Sequence, residues 1–134
     1  MQFTDEEWLA FANKLERATE LGAISWFHDD EAWNQHTYYT TIPGNAKYEL
    51  YSRDEDGQYP YVLEISDLDG TKLSEFTTVP YGDEWDKSSA QRVSAMLDRL
   101  YGRVTRLVTG APQKAESLLR GLDDLLPPES ETSF

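Results

Sequence analysis

Apolar positions along the chain fall into three regimes. The first is helical. Trp8, Phe11, Leu15 and Ala18 recur at helical spacing, with Leu9, Ala12 and Leu21 beside them. Thr4 and Glu7 stand at capping-box spacing, where each side chain can satisfy a free backbone N–H at the helix start. Asp5, Glu6 and Glu7 suit the positive end of the helix dipole, and Gly22 is a natural stop. The pattern predicts a helix from about Asp5 to Leu21.

The second regime alternates. Ile24–His28 reads as a short strand, and His36–Ile42, rich in Tyr and Thr, reads as another that ends at Pro43-Gly44. Tyr48 and Leu50 alternate with Lys47, Glu49, Tyr51 and Arg53, and Tyr61, Leu63 and Ile65 alternate with Glu64 and Ser66. A last strand is expected over Thr71–Val79. Asp54-Glu55-Asp56-Gly57 and Asp67-Leu68-Asp69-Gly70 lie between the strands. Both end in Asp-Gly, which tolerates the positive φ of a tight turn. Links this short favour an antiparallel meander.

The third regime is helical again. Val93, Met96, Leu97, Leu100, Val104, Leu107 and Val108 make a broad stripe that Gly110 stops. Pro112 suits the first turn of a further helix whose stripe is Ala115, Leu118, Leu119, Leu122, Leu125 and Leu126. Pro127-Pro128 ends it. Alternating strands imply a sheet buried mainly on one side, and amphipathic helices need a surface to cover. The expected architecture is α+β: an N-terminal helix, an antiparallel meander of four to five strands and two C-terminal helices. It forms two layers with the helices on one sheet face. One domain is expected over residues 1–128, with 129–134 a disordered tail.

Composition narrows the class of function. The 134 residues include no cysteine, so neither disulfides nor thiolate metal sites are available. The N-terminal residues lack the basic start and apolar run of a signal peptide, and no stretch has the apolar length of a membrane span, so a cytoplasmic setting is expected. The net charge of −13 disfavours direct binding to nucleic acid or anionic membranes and favours a basic protein partner. The plainer alternative is that acidity serves solubility.

The charge is uneven. Residues 1–34 hold eight acids and two bases, 35–80 eight and three, 81–110 four and five, and 111–134 five and two. The one segment that is not acidic carries Arg92, Arg99, Arg103 and Arg106 at spacings of seven, four and three. On a helix these lie within an arc of about 60°, beside the apolar stripe. Such a flank can pair with carboxylates of the same chain, or offer a contact ridge to an acidic ligand or a second subunit. A nucleic-acid ridge is opposed by the surrounding charge.

Candidate chemistry is sparse. His28-Asp29-Asp30-Glu31, with His36 after it, could in principle bind a divalent metal, but the spacing fits no metal motif and a solvated acidic loop explains it. The Asp-x-Asp-Gly turns share part of a calcium loop. The twelfth position, which must be Glu, is Ile65 counted from Asp54 and Thr78 counted from Asp67, so both read as hairpin turns. There is no nucleophile elbow and no Gly-rich phosphate loop. No catalytic residue, metal ligand or cofactor is therefore assigned, and the expectation leans away from an enzyme. Trp8 and Trp26 fit core positions. Tyr38, Tyr39, Tyr51, Tyr59, Tyr61 and Tyr81 are too many for the core alone; an aromatic sheet face ringed by carboxylates would suit protein binding, and ordinary cross-strand Tyr–Thr pairing would explain them equally. Arg92, Arg99, Arg103, Arg106, Tyr39 and Tyr51 are the candidate contact residues. A metal- or ligand-binding role for His28, Asp29 and Asp30, and a homodimer through the Arg flank or the open sheet face, are the alternatives.

Thr19-Glu20-Leu21-Gly22-Ala23-Ile24-Ser25-Trp26, followed by a Tyr/Thr strand, Asp-Gly hairpins and the pair Leu100-Tyr101, resembles small bacterial and phage proteins of uncharacterised function. In these a helix runs into a Gly-x-Ile-x-Trp strand, then a meander, then a helix. The resemblance covers about Leu15 to Leu126. It implies the same helix–meander–helix order and a cytoplasmic setting, and brings no activity.

Overall fold

A computed structural model describes residues 2–28, 36–80 and 88–126. Helix α1 spans Asp5–Glu20. Five strands follow: β1 (Phe27–His28), β2 (Thr37–Ile42), β3 (Ala46–Ser52), β4 (Tyr61–Ser66) and β5 (Lys72–Thr77). Helices α2 (Ser89–Val108) and α3 (Ala111–Asp123) close the order. The architecture is α+β, as the hydrophobic pattern predicts.

The capping box of α1 is complete. Glu7 N donates to Thr4 Oγ1 at 3.1 Å, and Thr4 N donates to Glu7 Oε1 at 2.9 Å. Gly22, at φ +70°, turns the chain away after the cap residue Leu21. Leu21 itself is 72% exposed and takes no part in the core. It sits at the helix end, beyond the turn where the apolar stripe meets the sheet.

All strand pairs are antiparallel, and the order across the sheet is the order along the chain. The first strand is shorter than Ile24–His28. Trp26 is drawn under the end of α1, where its indole Nε1–H donates to Thr19 Oγ1 at 3.0 Å, and ladder pairing starts only at Phe27. Both Asp-Gly segments are turns. In the second, Gly70 takes φ +95° and Asp67 Oδ1 accepts from the N–H groups of Asp69 and Thr71.

Alternation decides the two faces. Tyr38, Leu50, Leu63 and Phe76 form one cross-strand row pointing into the core. Tyr48 and Ile65 form part of the next. Helices α1 and α2 cover this face through Trp8, Ala12 and Leu15 from one and Val93, Leu97, Leu100, Tyr101 and Val104 from the other. Tyr101 stacks on Tyr61 with ring centroids 4.2 Å apart. Helix α3 contributes no buried residue. Its leucines 118, 119, 122, and 125 and 126 just past its end, are 56–81% exposed.

The sheet edges are short or charged. β1 has two residues. β5 places Lys72 and Glu75 on its rim, and a register irregularity falls at Ile65/Ser66 beside it. These are features that discourage pairing with a foreign strand.

Candidate protein-contact surfaces

The arginine ridge runs along α2 facing the seam with α1. Arg99 Nη2 lies 3.3 Å from Glu16 Oε2, and Arg103 Nη1 lies 3.0 Å from Glu20 Oε1. The Arg103–Glu20 pair is exposed at both ends and contributes at most about 1 kcal/mol, whereas the Glu16 carboxylate of the other pair is only 15% exposed. Arg106 forms no ion pair with a described residue, and its position in the last turn of α2 suits the negative end of the helix dipole. These three arginines line one groove of about 590 Å³ with Thr19, Glu20, Gly102, Leu107 and Pro112. Arg92 lies in the first turn of α2, exposed and outside this groove. The structure thus brings three of the four expected arginines together, with two balanced by α1.

The open face of the sheet carries Tyr39 and Tyr51. Cross-strand register aligns Phe27, Tyr39, Glu49, Glu64 and Glu75 in a single row, one residue per strand. Phe27 and Tyr39 have ring centroids 6.0 Å apart, and Lys47 Nζ sits 5.3 Å from the Tyr39 ring centroid. Directly opposed side chains on neighbouring strands stand about 5 Å apart at Cβ, and like charges so placed destabilise the pair. Lys47 answers Glu49 at 2.9 Å, and Lys72 bridges Glu75 at 2.8 Å and Glu64 at 3.4 Å. Hydrogen bonding to Glu75, chiefly, raises the Lys72 ammonium above its ordinary pKa.

Tyr51 stands in the next row, between Thr37 and Val62. Burial, then the charges of Glu64 and Glu75, raises its phenol above the ordinary value. The periodicity reading placed Lys47, Glu49 and Glu64 on this face. It missed Glu75, whose alignment depends on the β4–β5 register across the irregularity at Ile65/Ser66.

The acidic segment gives less. Asp29, Asp30 and Glu31 lie outside the described residues, as do Tyr81 and residues 127–134. His28 packs edge-on to Tyr38, and the backbone carbonyl of His36 accepts from the Tyr101 hydroxyl at 3.0 Å. Among the described residues no group of three metal-ligating side chains comes together. In the first Asp-Gly turn, Asp56 Oδ1 accepts from Gln58 N and lies 2.9 Å from the Ser52 hydroxyl. These contacts hold its carboxyl below the ordinary range, the Gln58 N–H first.

Among the described residues no helix is long and apolar enough to cross a membrane. No protein-family model, no curated protein and no solved structure matches the chain.

Proposed function

We propose that this is a non-enzymatic binding protein that regulates or inhibits a basic protein partner through the open face of its sheet. The observation that carries this reading is the row Phe27, Tyr39, Glu49, Glu64 and Glu75. Three carboxylates held opposite one another oppose folding, and the two lysines beside them leave the cluster short of one positive charge. A cation from outside relieves that repulsion. The aromatic pair at the end of the row offers contact area at low entropic cost. The net charge of −13 steers such a partner in and turns nucleic acid away. A cytoplasmic setting, in a bacterial or phage context, belongs to the same reading, supported by the absence of cysteine and by the helix–meander–helix resemblance.

Affinity capture from lysate of the source cells, with the native chain beside the Glu49→Gln/Glu75→Gln variant, tests this. A protein retained by the native chain at physiological salt, released by raised salt and lost with the variant is the expected result. Equal retention by both chains, or no protein retained, overturns it.

A further inference from the structure

Helix α3 is amphipathic, and among the described residues only Ala111, Pro112 and Ala115 of it are even half-buried. None of its residues is buried, and the stripe of five leucines amounts to several hundred Å² of exposed apolar surface, the scale that marks an interaction site. The acidic end of this helix, Asp123 and Asp124, ion-pairs with no described residue. Arg106 likewise ion-pairs with no described residue, at the groove beside Pro112 where α3 begins. Thirteen helical residues rise about 20 Å, so α3 carries its own acidic end away from the groove at its start. The complementary groups of one chain therefore do not meet within that chain.

Between two chains they can. Residues 81–110 form the one segment of the sequence in which bases outnumber acids, five to four. A second acidic copy is attracted there and repelled elsewhere. The groove has apolar lining from Leu107, 47% exposed, and Pro112. Its wall includes Gly102, a glycine inside a helix. A Cβ there would meet nothing within 4 Å, so packing within the chain does not require the glycine. Its missing side chain leaves the groove open to close approach by another backbone.

We propose that the occupant is a second copy of this chain. In a two-fold dimer the leucine face of each α3 lies over the Leu107–Pro112 groove of the other copy, and Asp123 and Asp124 face Arg106. The contact is self-complementary and closes at two subunits. Each copy contributes the stripe and the groove once, so both patches are covered twice over; a stable interface buries about 1,200–2,000 Å² in total.

Light scattering on the full chain, from micromolar to several hundred micromolar at 150 mM salt, reads the mass directly. The native chain is expected to reach twice its monomer mass of 15.4 kDa. Leu118→Gln/Leu122→Gln and Gly102→Met should each return the monomer mass with unchanged far-ultraviolet dichroism, because all three positions are exposed. The charge variants are more discriminating. Arg106→Asp alone and Asp123→Arg/Asp124→Arg alone should each be monomeric, yet an equimolar mixture should form a heterodimer, since both of its contacts then join opposite charges. A native chain that stays monomeric throughout overturns the proposal. So does a dimer that survives the leucine and Gly102 variants, or a mixture that stays monomeric. The sheet-face reading is untouched by any of these results, because the two surfaces share no residue.

Discussion

The hydroxyl of Thr19 stands between two partners of unequal kind: it donates to the carbonyl of Leu15 at 2.7 Å and accepts the indole N–H of Trp26 at 3.0 Å. Both side chains are buried. The pair fixes how the chain leaves α1 and enters the sheet. Thr19→Val keeps the shape and leaves the indole N–H without its acceptor, which costs about 1–3 kcal/mol. Urea denaturation should show that loss for Thr19→Val and a smaller one for Thr19→Ser.

Alkaline pH should unfold the protein by way of its tyrosines. Tyr48, Tyr51, Tyr61 and Tyr101 all have phenols raised above the ordinary value, with burial the first cause in each. For Tyr101 the neighbouring Tyr38 and Tyr61 add to it. A pKa raised by folding gives stability that is whole below the unfolded value, about 10. It is lost as pH rises through the folded value. Melting temperature should therefore fall above pH 10. Tyr101→Phe should flatten that fall, at the expense of the hydrogen bond to the His36 carbonyl.

Glu64 faces a carboxylate on either side, Glu49 in β3 and Glu75 in β5. Among the described residues its ion-pair partner is Lys72, which lies closer to Glu75. Glu64→Gln removes two opposed like-charge pairs, each worth about 0.2–1 kcal/mol, and gives up one long, half-exposed ion pair of about 1 kcal/mol. The variant is expected to be more stable by about 0.5 kcal/mol, with the gain larger at low salt. Denaturation at 10 mM and 500 mM salt checks both the sign and the trend.

The two C-terminal helices should respond oppositely to truncation of leucine. Leu97 of α2 is fully buried, and Leu97→Ala should cost about 2–5 kcal/mol. Leu118 of α3 is 58% exposed, and Leu118→Ala should stay within about 0.5 kcal/mol when measured on the monomer at low concentration.

The same contrast shows where sequence stops being informative. The 3.6-residue stripe of α2 and that of α3 look alike on paper, since spacing reveals that a helix has an apolar face and says nothing of what lies against it. Local chemistry was legible: the Thr4–Glu7 box, the Asp-Gly turns, and the alternation of Tyr48 and Leu50 with Lys47 and Glu49 all stand as read. What depends on juxtaposition was not. The arginine arc is visible in residue numbers, but its division into Arg99 and Arg103, answered by α1, and Arg106, left beside the groove, is set by how α1 crosses α2. Glu75 joins the row of glutamates only through a register that two strand sequences do not specify by themselves.

The order of strands has a consequence for how this molecule is made. Every ladder joins a strand to the one just before it, so a chain leaving the ribosome can zip its sheet as each hairpin emerges. Its roof cannot keep pace. Helix α1 is synthesised before any of the strands, yet the neighbour that completes its shelter, α2, is finished only at Val108. Until then the greasy side of a finished sheet is half thatched, and Trp8 waits for Leu97 and Leu100 to arrive. The interval between the last strand and that helix is when the nascent protein is most exposed to wrong company.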